Sequence, residues 1–410
     1  MIKPVAEIKV GLDFGLAVQP VGRLAIRDGV IYFQYDDNFF DAGIEISPFR
    51  LPLKRGVSEL PLHPFDGLAG VFSDSLPDGW GRLLFDRMIR TFGLMPSDVS
   101  SLDRLAHVGM HGMGALVYEP DNSPEVPQDK VDLDVLAVQT EKVLEGSSEE
   151  VITELLALNG SSAGARPKAL IGVDSERKNI LYGAQNLDET FEHWLVKFSN
   201  SQDGPDSGAI EYVYALMAAE AGISMPDVHL FPSQNGGSGY FAVKRFDRDG
   251  NRRLHMHTVS GLLHSNFRLP SLDYEDLLNL TATLTKDIRE VEKMYRLAVF
   301  NVMAHNRDDH AKNFSFLMDE TGNWKLSPAY DLTFSTGPGG EQSTMVLGEG
   351  RNVSIKHLAK LGQEAKLPQS LIDNVIEQTK YALNQWKDLS KEFDVDKRNA
   401  EVINRMITKL

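Results

Sequence analysis

Short alternating runs open this chain and long helical periodicities close it. Leu24-Ala25-Ile26 and Val30-Ile31-Tyr32-Phe33 flank Asp28-Gly29, a pairing that predicts a hairpin within a group of strands over residues 5–35. A further strand is expected over 44–53, an amphipathic helix over 83–89 ending near Gly93, a short helix over 101–107 and a strand over 115–118. Pro120, Pro124 and Pro127 mark a linker. Leu133, Leu136, Val143 and Leu144, then Val151, Ile152, Leu155 and Leu156, carry helical spacing over 131–158. Strands follow at 169–173, 194–198, 228–231 and 240–246, with a helix at 208–221 that Gly222 stops. Beyond 273 helices dominate, at 273–284, 286–303, 369–387 and 396–409. The last helical half is broken by a polar loop at 306–313, a short strand at 314–317, a turn at Glu320-Thr321-Gly322-Asn323 and the segment 324–333.

This order predicts an α+β protein in three regions: a β-rich segment 1–125, a mixed segment 126–248 and a helical segment 249–410. Composition narrows the class. With 42% hydrophobic and 24% charged residues, the chain reads as an ordinary soluble globular protein long enough for two or three domains. A net charge of −16 argues against a general nucleic-acid surface. The absence of cysteine excludes disulfides, thiolate metal sites and a cysteine nucleophile, and fits an intracellular location. No signal peptide is evident, and no apolar run reaches the ~18 residues of a membrane span.

The polar loop holds the densest chemistry: Asn306-Arg307-Asp308-Asp309-His310-Ala311-Lys312-Asn313. Asp308 and Asn313 stand five apart, and Asp331 lies beyond the hairpin. Phosphoryl-transfer sites of the protein-kinase kind use this spacing. There the first acid accepts a hydroxyl proton, and the amide and second acid offer oxygens to Mg²⁺ bridging nucleotide phosphates. The spacing selects Asp308 over Asp309 as the base. The competing reading is a structural loop of hydrogen-bonded polar residues. His305 and His310 suggest a metal hydrolase less well, because two histidines five apart match no standard zinc spacing; they read as loop-ordering groups.

Upstream, Lys197 sits among apolar strand residues in Trp194-Leu195-Val196-Lys197-Phe198. It either faces solvent from an edge strand or aims at phosphates. Glu211, near the start of the following helix, could pair with it or simply favour the helix dipole. Ser161-Ser162-Ala163-Gly164-Ala165-Arg166-Pro167-Lys168 is small enough for its backbone to approach phosphates, though it is not a Walker loop; the alternative is a flexible turn. Val243-Lys244-Arg245-Phe246-Asp247-Arg248 ends a strand and reads either as a hinge or as a charged turn.

Four segments in this order resemble the HipA family of bacterial serine/threonine kinase toxins: Phe72-Ser73-Asp74-Ser75-Leu76-Pro77-Asp78-Gly79-Trp80-Gly81, Gly164–Ala169, Val243–Arg248 and Asp308–Phe316. Ser327-Pro328-Ala329-Tyr330-Asp331-Leu332 is similar to the family's metal-binding segment. The resemblance implies a two-lobed protein-kinase-like fold with an extra β-rich N-terminal subdomain and a mostly helical C-terminal lobe. It implies Asp308 as catalytic base and Asn313 and Asp331 as Mg²⁺ ligands. It places ATP against Ser162, Ala163, Gly164, Ala165, Arg166, Lys168, Lys197, Lys244, Phe246, His310 and Lys312, and makes Ser161 the candidate autophosphorylated serine. Two departures stand out. Lys244 replaces an acid at the hinge, and Arg166-Pro167 replaces a Gln-Glu pair.

The family also implies a small helix-turn-helix antitoxin of the HipB type as partner, DNA contact only through that partner, no membrane, a cytoplasmic location and an aminoacyl-tRNA synthetase as substrate. Two other functions remain open. One is a small-molecule phosphotransferase of kinase-like fold, the other a catalytically silent corepressor of a DNA-binding antitoxin.

Overall fold

The computed structural model describes residues 4–124, 129–146, 155, 156, 158, 164–183, 187–200 and 204–407. Packing groups the chain into two compact units. Unit 1 comprises Met1–Gln202, Ala242–His264 and Leu317–Asn323; unit 2 comprises Asp203–Phe241, Ser265–Phe316 and Trp324–Leu410. Unit 1 thus contains the whole expected 1–125 region and most of 126–248.

Among the described residues, unit 1 holds two larger antiparallel sheets and a two-stranded ribbon, Arg248–Asp249 with Arg252–Arg253. The first runs in the order β4-β3-β2-β1-β5, from β1 (Glu7–Asp13), β2 (Val18–Arg27), β3 (Val30–Tyr35), β4 (Val57–Glu59) and β5 (Leu116–Glu119). Alternation selects its inner face: Ile8, Val10, Leu12, Leu24 and Phe33 are all buried. The helix Gly79–Thr91 buries Trp80, Leu84, Phe85, Met88 and Ile89 on one stripe. The second sheet sets β7 (Ile180–Tyr182) beside β6 (Lys168–Asp174), then β8 (Phe191–Lys197), then the Ala242–Lys244 part of the strand Tyr240–Lys244.

The expected strand over 44–53 does not form; that stretch is turn and coil, and the edge strand is β4 instead. Pro48 and Pro52 explain the difference, since each removes a ladder donor. The segment is held by side chains: Tyr35 Oη donates to the Leu51 carbonyl at 2.6 Å, and His255 Nε2 lies 2.9 Å from the Ile46 carbonyl. Two short helices, Asp37–Ala42 and Gly70–Ser73, have too few residues to show a period.

Buried acids fasten the N-terminal sheet region to residues 242–264. Asp74 Oδ2 lies 2.6 Å from His257 Nδ1 and accepts the Thr258 N–H at 2.8 Å, while Oδ1 accepts the Thr258 hydroxyl at 2.7 Å. His257 Nε2 in turn lies 3.0 Å from Ser47 Oγ. The Ser-His-Asp order imitates a hydrolase relay, but Ser47 and His257 are fully buried and the serine cannot meet a substrate. The arrangement is a clasp.

A second anchor is Asp247, which accepts from Arg245 Nε at 3.0 Å, Arg248 at 2.7 Å and the Gly114 N–H at 2.7 Å. Burial works against its charge, and the two guanidinium groups overcome that cost, holding the carboxyl far below the usual range. Arg253 reaches the Gly114 carbonyl at 3.0 Å and Asp13 at 3.1 Å. The charged end of Val243–Arg248 is therefore an interior network.

Unit 2 is mainly helical: Ser207–Glu220, Tyr274–Thr285, Ile288–Met303, Ile355–Glu364, Gln369–Leu383, Trp386–Glu392 and Lys397–Ile407. The expected helix 369–387 divides at Asn384-Gln385. The helix at 355–364 has no counterpart among the expected elements, although Leu358 and Leu361 supply a buried stripe and Ser354 sits at its start. Of the described residues, Tyr214, Tyr274, Tyr295, Phe300 and Trp386 are among unit 2's largest fully buried side chains. Tyr214 Oη donates to the Ala304 carbonyl at 2.7 Å, fixing the end of Ile288–Met303 where the polar loop begins. Among the described residues no helix is long and apolar enough to cross a membrane.

The clasp gives a direct test. Asp74→Ala leaves buried donors on His257 and Thr258 unsatisfied, so urea denaturation should show a loss of about 3–5 kcal/mol. A loss under about 1 kcal/mol, the size expected of a surface change, would rule out the fastening role.

Candidate active site

The loop Asn306–Asn313 leaves the helix Ile288–Met303 and leads into the strand Ser315–Met318. The two adjacent acids are sorted completely. Asp308 is exposed; Asp309 is 1% exposed. Asp309 Oδ2 accepts the Tyr274 hydroxyl at 2.6 Å and Gln342 Nε2 at 3.0 Å, and Oδ1 accepts the N–H groups of Ser343 at 2.8 Å and Thr344 at 3.2 Å. Its backbone carbonyl takes the Thr344 hydroxyl at 2.5 Å. The network continues inward. Asn301 Nδ2 donates to Tyr274 Oη at 3.0 Å, and Asn306 Nδ2 donates to Asn301 Oδ1 at 3.0 Å. Arg307 closes the outer side by donating to the carbonyls of Gly340 and Arg351.

Asn313 Nδ2 donates to the Asp308 backbone carbonyl at 2.7 Å. The bond spans the five-residue interval and leaves the amide oxygen as the atom to meet a cation. Asp331 is half-buried with φ +59°, a left-handed conformation uncommon outside glycine. Beside it, Tyr330 Oη donates to the Lys312 carbonyl at 2.6 Å and lies 2.5 Å from Ser315 Oγ, tying Asp331's segment to the loop. His310 Nδ1 accepts the Lys312 N–H at 3.3 Å. Phe267 contacts both residues, with the His310 ring 5.4 Å away and the Lys312 ammonium 4.6 Å over its face.

In unit 1, Lys168 and Lys197 stand directly opposite each other on β6 and β8. Like charges in such a cross-strand pair repel. Lys168 is 4% exposed, although lysine is rarely buried. Gly164, Ala165 and Arg166 precede this pair. The Lys244 ammonium is engaged by Glu192 at 2.6 Å, and Phe246 is half-buried. Ser161, Ser162 and Ala163 lie outside the described residues. Glu211 is buried on the helix Ser207–Glu220 of unit 2.

Among the described residues no three His, Asp or Glu side chains gather as a metal cage. An amide and one carboxylate fit Mg²⁺, which takes few protein ligands and completes its shell with phosphate and water oxygens. His305 braces the loop from behind, its Nδ1 3.1 Å from the Ser335 carbonyl and its ring stacked on Phe334. The residues that sequence reasoning missed are Tyr274, Gln342, Ser343 and Thr344. They lie 33 to 35 positions from Asp309, beyond the reach of any local pattern.

The arrangement defines an α+β protein of kinase-like fold with an acid-and-amide loop. Comparison with known proteins makes the class specific. Residues 12–119 match the HipA N-terminal domain, and residues 160–386 match the HipA-like C-terminal domain. The chain belongs to the HipA family. It is 26% identical over 423 residues to Y4dM of Sinorhizobium fredii, covering 96% of this chain and 95% of that protein. It is 22% identical over 306 residues to the serine/threonine-protein kinase toxin HipA of Shewanella oneidensis, covering 66% of this chain and 65% of that one. A solved complex of Shewanella oneidensis HipA with HipB and operator DNA contains a chain of the same fold, with TM-score 0.68 at 17% identity, covering 98% of this chain and 95% of that chain.

Asp309 makes the loop's stability pH-dependent. Burial pushes its carboxyl up to about 6, against the opposing pull of Tyr274, Thr344, Gln342 and Ser343. The folded value lies above the ordinary carboxyl near 4, so this group's contribution is fully present below about pH 4 and is lost as pH rises. The loss runs through about pH 6. Thermal unfolding should show wild type losing stability relative to Asp309→Asn across that window as pH rises. Parallel pH profiles would remove Asp309 as the titrating group.

Proposed function

We propose that this chain is an ATP- and Mg²⁺-dependent protein serine/threonine kinase and the toxin of a HipBA-type toxin–antitoxin module. The observation that carries this reading is the division between the twin acids. Asp309 is buried and immobilised, while Asp308 is exposed on the loop it holds, with Asn313 bonded across to Asp308's own carbonyl. The named activity of the Shewanella relative supports the same class.

In this reading Asp308 orients the acceptor hydroxyl and takes its proton. Asn313 and Asp331 supply oxygens to Mg²⁺, which when bound neutralises charge on the nucleotide phosphates. Lys168 and Lys197 take phosphate oxygens, with Gly164, Ala165 and Arg166 approaching from the preceding loop. Lys312, held over Phe267, adds positive charge beside Asp308, and His310, also against Phe267, is the neighbouring nucleotide contact. Lys244 and Phe246 belong to the adenine side; because Glu192 already engages the Lys244 ammonium, the backbone there is the contact proposed.

The acceptor proposed is a protein serine or threonine, on an aminoacyl-tRNA synthetase by family resemblance, with Ser161 as the site of autophosphorylation. A HipB-like antitoxin is the proposed partner, and DNA is reached through it in the cytoplasm. The expected regions then become an N-terminal subdomain (1–125), a nucleotide-binding region (126–248) and a catalytic region (249–410).

Transfer of label from radioactive ATP to cell-lysate proteins tests this. Asp308→Ala should reduce incorporation about a hundred- to ten-thousand-fold, the range for loss of a general base, and Asp331→Ala should abolish it. Undiminished labelling in both variants would exclude the assignment. Labelling of small metabolites with none in protein would replace it with a small-molecule phosphotransferase.

A further inference from the structure

The segment Asp74–Gly81 is prominent in the sequence, yet the proposed chemistry leaves its second half without a role. Its first half is structural: Asp74 closes the clasp, and Ser75 Oγ accepts the Tyr118 hydroxyl at 2.6 Å. The second half begins the helix Gly79–Thr91, with Asp78 at the N-cap. An N-cap aspartate ordinarily accepts an N–H of its own first turn. Asp78 makes no such bond. Its carboxylate instead accepts the N–H of Gly164, and the Trp80 N–H donates to the Gly164 carbonyl at 3.0 Å. One peptide turn therefore grips both backbone groups of a single glycine in the loop before β6.

Gly79 permits the close approach. Its φ is +47°, and a Cβ there would lie 2.6 Å from the Gly164 carbonyl carbon and 2.7 Å from Ala165 Cα. Gly164 itself has φ +106°, and a Cβ on it would lie 2.6 Å from Lys168 Nζ. The gripped glycine thus rests against the ammonium of the buried lysine. Only Ala165, Arg166 and Pro167 separate the grip from the first ladder residue of β6. Four residue steps span at most about 14 Å, so holding Gly164 confines the whole connection.

We propose that Asp78, Gly79 and Trp80 form a clamp that positions the Gly164–Lys168 loop for nucleotide phosphates, with Asp78 as its positioning residue. The clamp makes the N-terminal segment part of the nucleotide site without contact to nucleotide. By linkage, phosphate binding and the grip on Gly164 strengthen each other. The nucleotide part of this proposal rests on the kinase reading; the clamp itself does not.

The test compares wild type, Asp78→Ala, Asp78→Asn and Gly79→Ala. Without nucleotide, hydrogen exchange at the Gly164 and Ala165 amides should speed up about ten- to hundredfold in Asp78→Ala, as expected for loss of a charge-assisted bond. Exchange along Ile8–Leu12 should stay unchanged and so report an intact fold. Asp78→Asn keeps an acceptor oxygen and should recover most of the protection, while Gly79→Ala should lose it by displacing Gly164. With Mg·ATP, KM for ATP should rise roughly tenfold in Asp78→Ala with kcat within about threefold, the pattern of lost binding rather than lost chemistry. Unchanged Gly164 exchange in both Asp78→Ala and Gly79→Ala would overturn the clamp. Faster exchange with an unchanged KM would overturn its positioning role. If wild type binds no Mg·ATP by calorimetry, the kinase reading and the positioning role fall together, while the nucleotide-free exchange still decides the clamp.

Discussion

The candidate catalytic loop depends on one buried carboxylate. Asp309 collects a tyrosine hydroxyl, a glutamine amide and two backbone N–H groups from segments far along the chain. A buried acid is costly unless its oxygens are satisfied, and satisfying them draws Tyr274 and Gln342–Thr344 onto the loop. Asp308 is then exposed because its neighbour is not. The loop is rigid where it is anchored and open where chemistry is proposed, a separation that two adjacent acids achieve only if one turns inward.

The same device recurs in unit 1. The side chains of Asp74 and Asp247 are both nearly enclosed, and each binds residues of the 242–264 stretch to the N-terminal sheet region. These links use side-chain acceptors on backbone and guanidinium donors, so they specify position as well as attraction. The N-terminal region is thereby fixed to a stretch whose first residues pair with β8, on which Lys197 faces Lys168 of β6. Asp78 adds a third link from an acid to a backbone N–H by accepting from Gly164.

Membership of the HipA family accounts for the order of the segments; the geometry accounts for their spacing. Asp308 and Asn313 stand five apart because a single bond from the Asn313 amide to the Asp308 carbonyl closes that interval. Asp331 lies across a hairpin because Tyr330 binds back to Lys312 and Ser315. Lys168 and Lys197 are separated by 29 positions and become neighbours through antiparallel pairing alone.

Much of this is legible in the residues themselves. The hairpin at Asp28-Gly29, the helices 207–220, 274–285 and 288–303, and the strands around Lys168 and Lys197 all form close to where the residues predict them. Spacing alone nominates Asp308, Asn313 and Asp331 as the candidate site. The 44–53 segment misleads because its apolar content suggests a strand while its prolines forbid the ladder. The burial of Arg245 and Asp247 is hidden because a run of charges ordinarily marks a solvated turn. By itself the sequence determined most of the element types, the order of the segments and which residues are candidates for the site, all properties of neighbouring residues. Tertiary structure alone decided which of two adjacent acids is buried, which lysines face each other and what holds Gly164. Those outcomes depend on partners tens of residues away, and no local pattern encodes them.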